Sequence, residues 1–369
     1  MHRKAEEGVD AERRRPTTTP RGAVRGVASP AKIRTTGPRL TAMPSHRTSA
    51  PLPPFDPAEA EVVLLPEAPE AGYWTGCPGV LHEPERGRWL LTYRRRRPRG
   101  HAGGERGWRC AVAVSDDGVD FTDVWTVESR QLGTDSMERF SLLPAPGGYQ
   151  LYLSYVDPAD SRWRIDVVDA AAPDAFDLAG ARPALTAAGT GTEGVKDPYT
   201  LRHGPLTYLF ASYARAGLSA ADAARAHATA DIYNTGVTTH PTGLAVSTDG
   251  GATFAWQGEV MPTGSGWDAF QTRLNCAVPL GPGAGWLGFY DGAASHEENY
   301  EERCGLALSP DLRTWHRLST EEPWATVPYG TGSLRYVDAV VADGTWHIYF
   351  EAARADGAHE LRLARVPVR

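Results

Sequence analysis

From Glu59 onward, apolar and polar residues alternate in short runs bounded by glycine, proline and aspartate. A period of two is the mark of a strand with one face buried. The runs come in pairs, and the pairs recur: 78–83 with 89–95, 140–144 with 149–156, 199–202 with 207–213, 274–280 with 286–290, and 336–341 with 346–352. The links between partners carry Glu-Arg-Gly, Pro-Gly-Gly, His-Gly-Pro, Gly-Pro-Gly and Asp-Gly, all hairpin chemistry. A third run follows each pair, at 110–115, 164–169, 243–247, 304–309 and 361–366. Three of these third runs lead into a Ser-x-Asp turn that closes on an aromatic, at Phe121, Phe254 and Trp315. The aspartate caps such a turn and the ring packs beneath it, which is a structural duty.

Five units at a spacing of roughly 60 residues predict an all-β fold, a five-bladed β-propeller, because a lone four-stranded sheet must bury its faces against neighbours. The fifth unit runs out of chain after its third strand. The apolar stretch 62–65 is the candidate for its fourth, so an N-terminal strand would close the last blade. Long amphipathic helices between strands, which a doubly wound α/β fold requires, are absent. A short helical excursion near 220–230 interrupts the third unit and is placed to lie over one face as a lid. Residues 1–55 show no apolar periodicity and read as a disordered tail, leaving 56–369 for the propeller; Met43 offers an alternative start.

Eleven Trp, fourteen Tyr, 39 Gly and 29 Pro suit many short strands joined by tight turns. A net charge of −7 argues against a nucleic-acid surface. No apolar run approaches the ~20 residues of a membrane span, and no apolar stretch follows Arg13–Arg15 as a secretory signal would require. A cytoplasmic protein that binds neither nucleic acid nor membrane is expected. Cys77, Cys110, Cys276 and Cys304 lack metal-ligand spacing. They read as buried free thiols, with one disulfide as the alternative. No metal or cofactor is implied.

Three segments resemble known enzymes. Gly76-Cys-Pro-Gly-Val-Leu81, with Trp89-Leu-Leu-Thr-Tyr-Arg94 and Ala113-Val-Ser-Asp-Asp-Gly118, resembles the opening blade of glycoside hydrolase family 130. Gly194-Val-Lys-Asp-Pro-Tyr199 resembles the Asp-Pro inner strand shared by families 130, 43 and 32. Trp286-Leu-Gly-Phe-Tyr-Asp-Gly292, with Cys304-Gly-Leu-Ala-Leu-Ser-Pro-Asp311, resembles a later blade of the same group. The resemblance spans about residues 60–366 and implies a five-bladed propeller acting on a small carbohydrate. Family 43 sets an Asp base, an Asp modulator and a Glu acid on successive inner strands; family 130 phosphorylases hold phosphate with His and basic residues.

Counting back sixteen residues from Tyr93, Tyr155, Tyr213, Phe289 and Glu351 gives Cys77, Arg139, Asp197, Arg273 and Arg335. These are the expected channel-facing positions. Four of the five are ionisable, and charges are rarely buried without a partner or a function. One reading is a site for a sugar, including an anionic one. The other is a structural network in which the arginines pair with Asp197, Glu138 and Asp338. An aspartate facing arginines stays ionised, so Asp197 is expected to act as base, nucleophile or hydroxyl acceptor. The proton donor is sought in Glu138 or Glu193. Strict alternation turns Glu138 away from the channel, and only a bulge would bring it back.

Lys196, Asp291, Glu351 and Trp74 complete the expected substrate contacts, the tryptophan by stacking on a sugar ring. Trp267 reads as core, His227 and His240 as solvated, 94–97 as an exposed strand end and 297–303 as a solvated loop. The expected activity is hydrolysis of a glycosidic bond. The alternatives are phosphorolysis, a non-catalytic carbohydrate-binding propeller and a protein-interaction propeller.

Overall fold

The computed structural model describes residues 55–368. The tail expected over 1–55 lies outside them except for Phe55, whose ring packs on Trp324 and Phe350. The architecture is nearly all β. After β1 (Glu61–Leu64), the strands fall into five antiparallel groups taken in chain order. The first is β2 (Trp74–Glu83), β3 (Arg88–Arg97), β4 (Arg106–Ser115) and β5 (Thr122–Glu128). The second is β6 (Ser141–Ala145), β7 (Gly148–Val156), β8 (Trp163–Ala170) and β9 (Arg182–Leu185). The third is β10 (Gly194–His203), β11 (Leu206–Ala214), β12 (Thr242–Ser247) and β13 (Ala255–Met261). The fourth is β14 (Gln271–Pro279), β15 (Trp286–Ala293), β16 (Arg303–Ser309) and the two-residue β17 (His316–Arg317). The fifth is β18 (Leu334–Ala342), β19 (Thr345–Ala353) and β20 (His359–Pro367).

The missing outer strand of the fifth group comes from the other end of the chain: β1 runs antiparallel to β20, with Glu61 opposite Leu363. Single parallel bridges, Trp74 to His359 and Arg303 to Leu334, join the fourth, fifth and first groups into one continuous sheet. The first strands of successive groups touch in order, β2 with β6, β6 with β10, β10 with β14, β14 with β18 and β18 with β2.

Period-two alternation sends one face of each group to the group before it and the other to the group after. Five separate apolar cores result. Leu90, Val112, Leu151 and Val168 fill the space between the first and second groups. Leu143, Ile165, Val195 and Leu209 do so between the second and third, and Phe210, Leu244, Leu274 and Trp315 between the third and fourth. Phe289, Leu306, Ile348 and Phe350 join the fourth to the fifth, and Leu91, Ala113, Tyr349 and Leu363 join the fifth to the first.

The Ser-x-Asp turns behave as the sequence predicts. Asp117 accepts from the amides of Val119 and Asp120, Asp249 from Thr253, and Asp311 from Arg313 and Thr314. Phe121, Phe254 and Trp315 pack edge-on against Tyr349, Tyr152 and Phe210.

All four cysteines are buried free thiols. Two short helices interrupt the sheets, α1 (Ala187–Thr190) and α2 (Ala220–His227). Among the described residues no helix is long and apolar enough to cross a membrane. The segment from α2 to Tyr233 folds back over the second and third groups, burying Ala226, Ile232 and Tyr233 against Val156, Trp163 and Ala214. That return explains two departures from expectation. His227 and His240 are buried rather than solvated, His227 on the Glu193 carboxylate at 2.9 Å and His240 stacked on Tyr233.

Candidate functional site

Bulges in the first strands build the site. The ladder slips between Gly76 and Gly79, between Lys196 and Tyr199, and between Arg335 and Asp338. At each slip one non-glycine residue takes a left-handed backbone: Cys77 (φ 54°), Asp197 (φ 55°) and Tyr336 (φ 52°). An L-residue held there stores roughly 1–2 kcal/mol of strain. The tyrosine, not Arg335, is therefore the counterpart of Cys77 and Asp197, and Arg335 stays in register opposite Glu351. The count of sixteen misses at the fifth unit because it starts from Glu351; Ala352, opposite Leu334 as Tyr213 is opposite Val195, is the equivalent position and leads to Tyr336.

In the second group the backbone leaves the ladder between the isolated Met137–Tyr155 bridge and Ser141. This break is the bulge that Glu138 needs, and its carboxylate turns inward onto Arg94. Gly76 is required by contact as well: a Cβ there would run into the Glu351 carboxylate.

Around these bulges runs a chain of ion pairs, interrupted once by a backbone hydrogen bond. Asp338 takes Arg139 at 2.7 Å, and the Arg139 amide donates to Asp197 at 3.2 Å. Asp197 faces Arg273 at 3.0 Å and Lys196 at 3.6 Å. Arg273 continues to Asp291 at 2.5 Å and Glu302 at 3.4 Å. Glu302 meets Arg335 at 2.6 Å, and Arg335 meets Glu351 at 2.7 Å. Arg94 lies between Glu351, at 3.6 Å, and Glu138.

All of these side chains are buried. The pairing of arginines with Asp197, Glu138 and Asp338, the structural alternative raised from sequence, is present, with Arg94 as the partner of Glu138. At the centre stands Tyr336. Its hydroxyl lies 3.4 Å from Glu138 and 3.5 Å from Asp197, and the Arg273 guanidinium covers its ring at 3.8 Å.

Protonation follows from who faces whom. Burial pushes the Asp197 carboxyl up, but Lys196, Arg273 and the Arg139 amide outweigh it and hold the group below its ordinary value. Glu302 and Glu351 are likewise held down against burial, chiefly by Arg273 and Arg335 respectively. Asp291 goes the other way: burial, with Glu302 nearby, raises it to about 6 despite Arg273. Asp338 also rises to about 6 through burial. Burial lifts the Cys77 thiol to about 12, so it is no nucleophile.

The structure thus brings together Asp197, Glu138, Arg139, Arg273, Arg335, Lys196, Asp291 and Glu351. It leaves Glu193 aside, paired with His227 and, at 3.5 Å, Arg162. Trp74 is occupied as well, stacked on His359 with centroids 4.4 Å apart and covered by Arg96 at 4.4 Å. Trp267 packs on Tyr290 as core.

Three members of the cluster were hidden in the sequence: Arg94, Glu302 and Tyr336. Arg94 belonged to a run that reads as an exposed strand end, yet Arg94 and Arg96 point to the buried face by simple alternation. Glu302 lay in a run that reads as a solvated loop, although it immediately precedes β16. Tyr336 needed the bulge.

Among the described residues no group of three or more His, Cys, Asp or Glu is arranged to hold a metal ion. No family model matches the sequence, and no curated protein matches it significantly. Solved structures do share its fold. A β-1,2-mannobiose phosphorylase from Listeria innocua, in complex with β-1,2-mannobiose, is similar at 14% identity over 83% of this chain and 97% of that one (TM-score 0.55). A glycosyl hydrolase from Bacteroides ovatus is similar at 15% identity over 86% and 97% (TM-score 0.57). A thermostable family-43 glycoside hydrolase is similar at 12% identity over 80% and 91% (TM-score 0.53). The neighbours also include a structure described as belonging to the GH130 family of mannoside phosphorylases. The chain has the fold of the β-propeller glycosidases.

Proposed function

We propose that the five strand groups are the blades of a closed five-bladed propeller and that the chain cleaves a glycosidic bond at its centre by hydrolysis. One observation carries this reading: Glu138 and Asp197 share the Tyr336 hydroxyl at 3.4 and 3.5 Å. That limits their separation to the range of a retaining pair, ~5–5.5 Å, or at most the low end of the inverting range, ~6.5–9.5 Å. Asp197, held ionised, is suited to attack the anomeric carbon or to activate water. Glu138 is the second carboxyl of the pair and the proposed proton donor, with Arg94 beside it. Asp291, whose neutral form burial favours up to about 6, is engaged by Arg273 and the Tyr336 amide. Glu193, engaged by His227, has no part in this scheme.

The test is release of nitrophenol from aryl glycosides and of mannose from β-1,2-mannobiose, with and without phosphate, by the wild type and by Asp197→Asn. Turnover that needs no phosphate and disappears in the variant supports hydrolysis. Turnover that requires phosphate replaces hydrolysis with phosphorolysis. A second reading draws on the ion pairs themselves, since each central carboxylate already faces a cation. It makes the ring a structural network in a binding propeller and predicts sugar binding without turnover.

A further inference from the structure

The described residues leave the centre closed. Asp197, Glu138, Tyr336 and Lys196 are only 1–2% exposed, so a ligand reaches them once something above them moves. The segment between β11 and β12 is placed to do so, since Tyr233 covers the Lys196 ammonium at 4.3 Å. Its neck is fixed: the amides of Tyr213 and Arg215 donate to the carbonyls of Pro241 and Thr239. Just beyond the neck a glycine in the left-handed region stands on either side, Gly217 (φ 103°) and Gly236 (φ 70°). A Cβ at Gly217 would meet nothing within 4 Å, so no packing holds the backbone there. Between the two glycines Ala226, Ile232 and Tyr233 face inward, while Ala220, Ala221, Ala224 and Arg225 face solvent.

The segment is fastened in two ways. His227 on Glu193 and the Tyr233 hydroxyl on the Ser212 carbonyl, each at 2.9 Å, tie it to the group it grows from. The far end is tied to other groups, chiefly through Asp231. Arg99, in the link between β3 and β4, meets that carboxylate at 2.7 Å, and Arg106, at the start of β4, lies 3.6 Å away. Tyr300, in the link between β15 and β16, donates its hydroxyl to the same group. One side chain thus joins the third group to the first and the fourth. Burial pushes the Asp231 carboxyl up, but Arg106 and Lys196 outweigh it and hold it below its ordinary value. The fastening is also releasable. Arg99 is half exposed, and a recess of about 270 Å³ lined by Arg99, Thr229, Asp231, Asn234 and Thr235 runs beside the pair. Parted charges there return to solvent instead of being stranded in a core.

We propose that residues 218–235 form a lid over the centre, hinged at Gly217 and Gly236 and latched by Asp231 to Arg99, Arg106 and Tyr300. The lid governs access, and it stands whether or not a glycosidic bond is cleaved beneath it.

Lys196 reports the opening, because it is the only lysine among residues 55–368. The full chain is treated with the N-hydroxysuccinimide ester of acetic acid, and acetylation of Lys196 is followed by peptide mass, with Lys4 and Lys32 as references. Asp231→Asn is expected to speed acetylation of Lys196 on the order of tenfold, through loss of a charge-assisted contact that holds the lid shut. Arg99→Gln, at a half-exposed side chain, is expected to speed it severalfold and serves alone if the first variant does not fold. Amide exchange separates a latch from a general support of the fold. Exchange over 218–235 should rise with acetylation, while β10, β11 and β12 change less than about twofold. Unchanged acetylation in the variants would overturn the proposal. So would a rise in exchange shared equally by the segment and the three strands, which would make Asp231 a support of the whole fold.

Discussion

Asp197 combines a left-handed backbone with two cationic partners, so a change there acts on both stability and chemistry. Asp197→Asn keeps the shape but leaves Lys196 and Arg273 facing a neutral group. A fall of about 3 kcal/mol in stability is expected from the stranded charges, read as a lower urea midpoint, together with loss of turnover. Tyr336→Phe removes only the hydroxyl between Glu138 and Asp197. It should cost about 1 kcal/mol while lowering turnover far more, ~10²-fold; a proportionate loss of both would mean the hydroxyl is only structural. The raised carboxyls give a pH signature. With folded values near 6 against an ordinary 3.8, Asp291 and Asp338 bind protons that the unfolded chain has released. Their stabilisation is complete below the unfolded value and is lost as pH rises to about 6. Asp197, Glu302 and Glu351 act in the opposite sense, stabilising above their unfolded values and less as pH falls through their depressed ones. Asp338→Asn should therefore lose less stability than the wild type between pH 4 and 6, by up to roughly 3 kcal/mol, in urea titrations at each pH. Equal slopes would mean that Asp338 is ionised throughout that range. What the sequence conceals at this scale is the bulge. An extra residue inverts the faces of everything after it, which is why Glu138 seemed to point outward and Tyr336 drew no notice beside Arg335.

At the scale of elements, the hairpin pairs and third strands were legible because alternation and Gly-containing turns agree in every unit and Ser-x-Asp caps mark three of the five. The excursion after β11 was less so. Its helix is short, and nothing in 220–234 announces that Ile232 and Tyr233 turn back beneath it. Tyr233 donates to the Ser212 carbonyl and covers Lys196 with its ring at 4.3 Å. It therefore lies between solvent and the Asp197 pair. If this segment opens to admit substrate, amide exchange over 218–236 should be faster than in β10, β11 and β12. Exchange as slow as in those strands would make the segment a fixed roof and require another entrance.

For the whole molecule, the cores between successive groups, including the one between fifth and first, carry the cohesion, and β1 fixes the outer edge of the fifth. Comparing a chain that starts at residue 55 with one that starts at residue 66 isolates that strand. Loss of several kcal/mol is expected in the shorter chain, measured by urea unfolding; an unchanged midpoint would make β1 dispensable. Repetition made this architecture readable from sequence, since five similar units leave few alternatives, whereas no single unit reveals how the ends meet. The pairing of Glu61 with Leu363 also sets a schedule. During synthesis β1 leaves the ribosome about 300 residues ahead of its partner, an interval of about 15–60 s at ~5–20 residues per second. Throughout that time a strand carrying Val62, Val63 and Leu64 waits unpaired, open to the wrong neighbour, so the newborn chain is exposed to misassociation until β20 emerges.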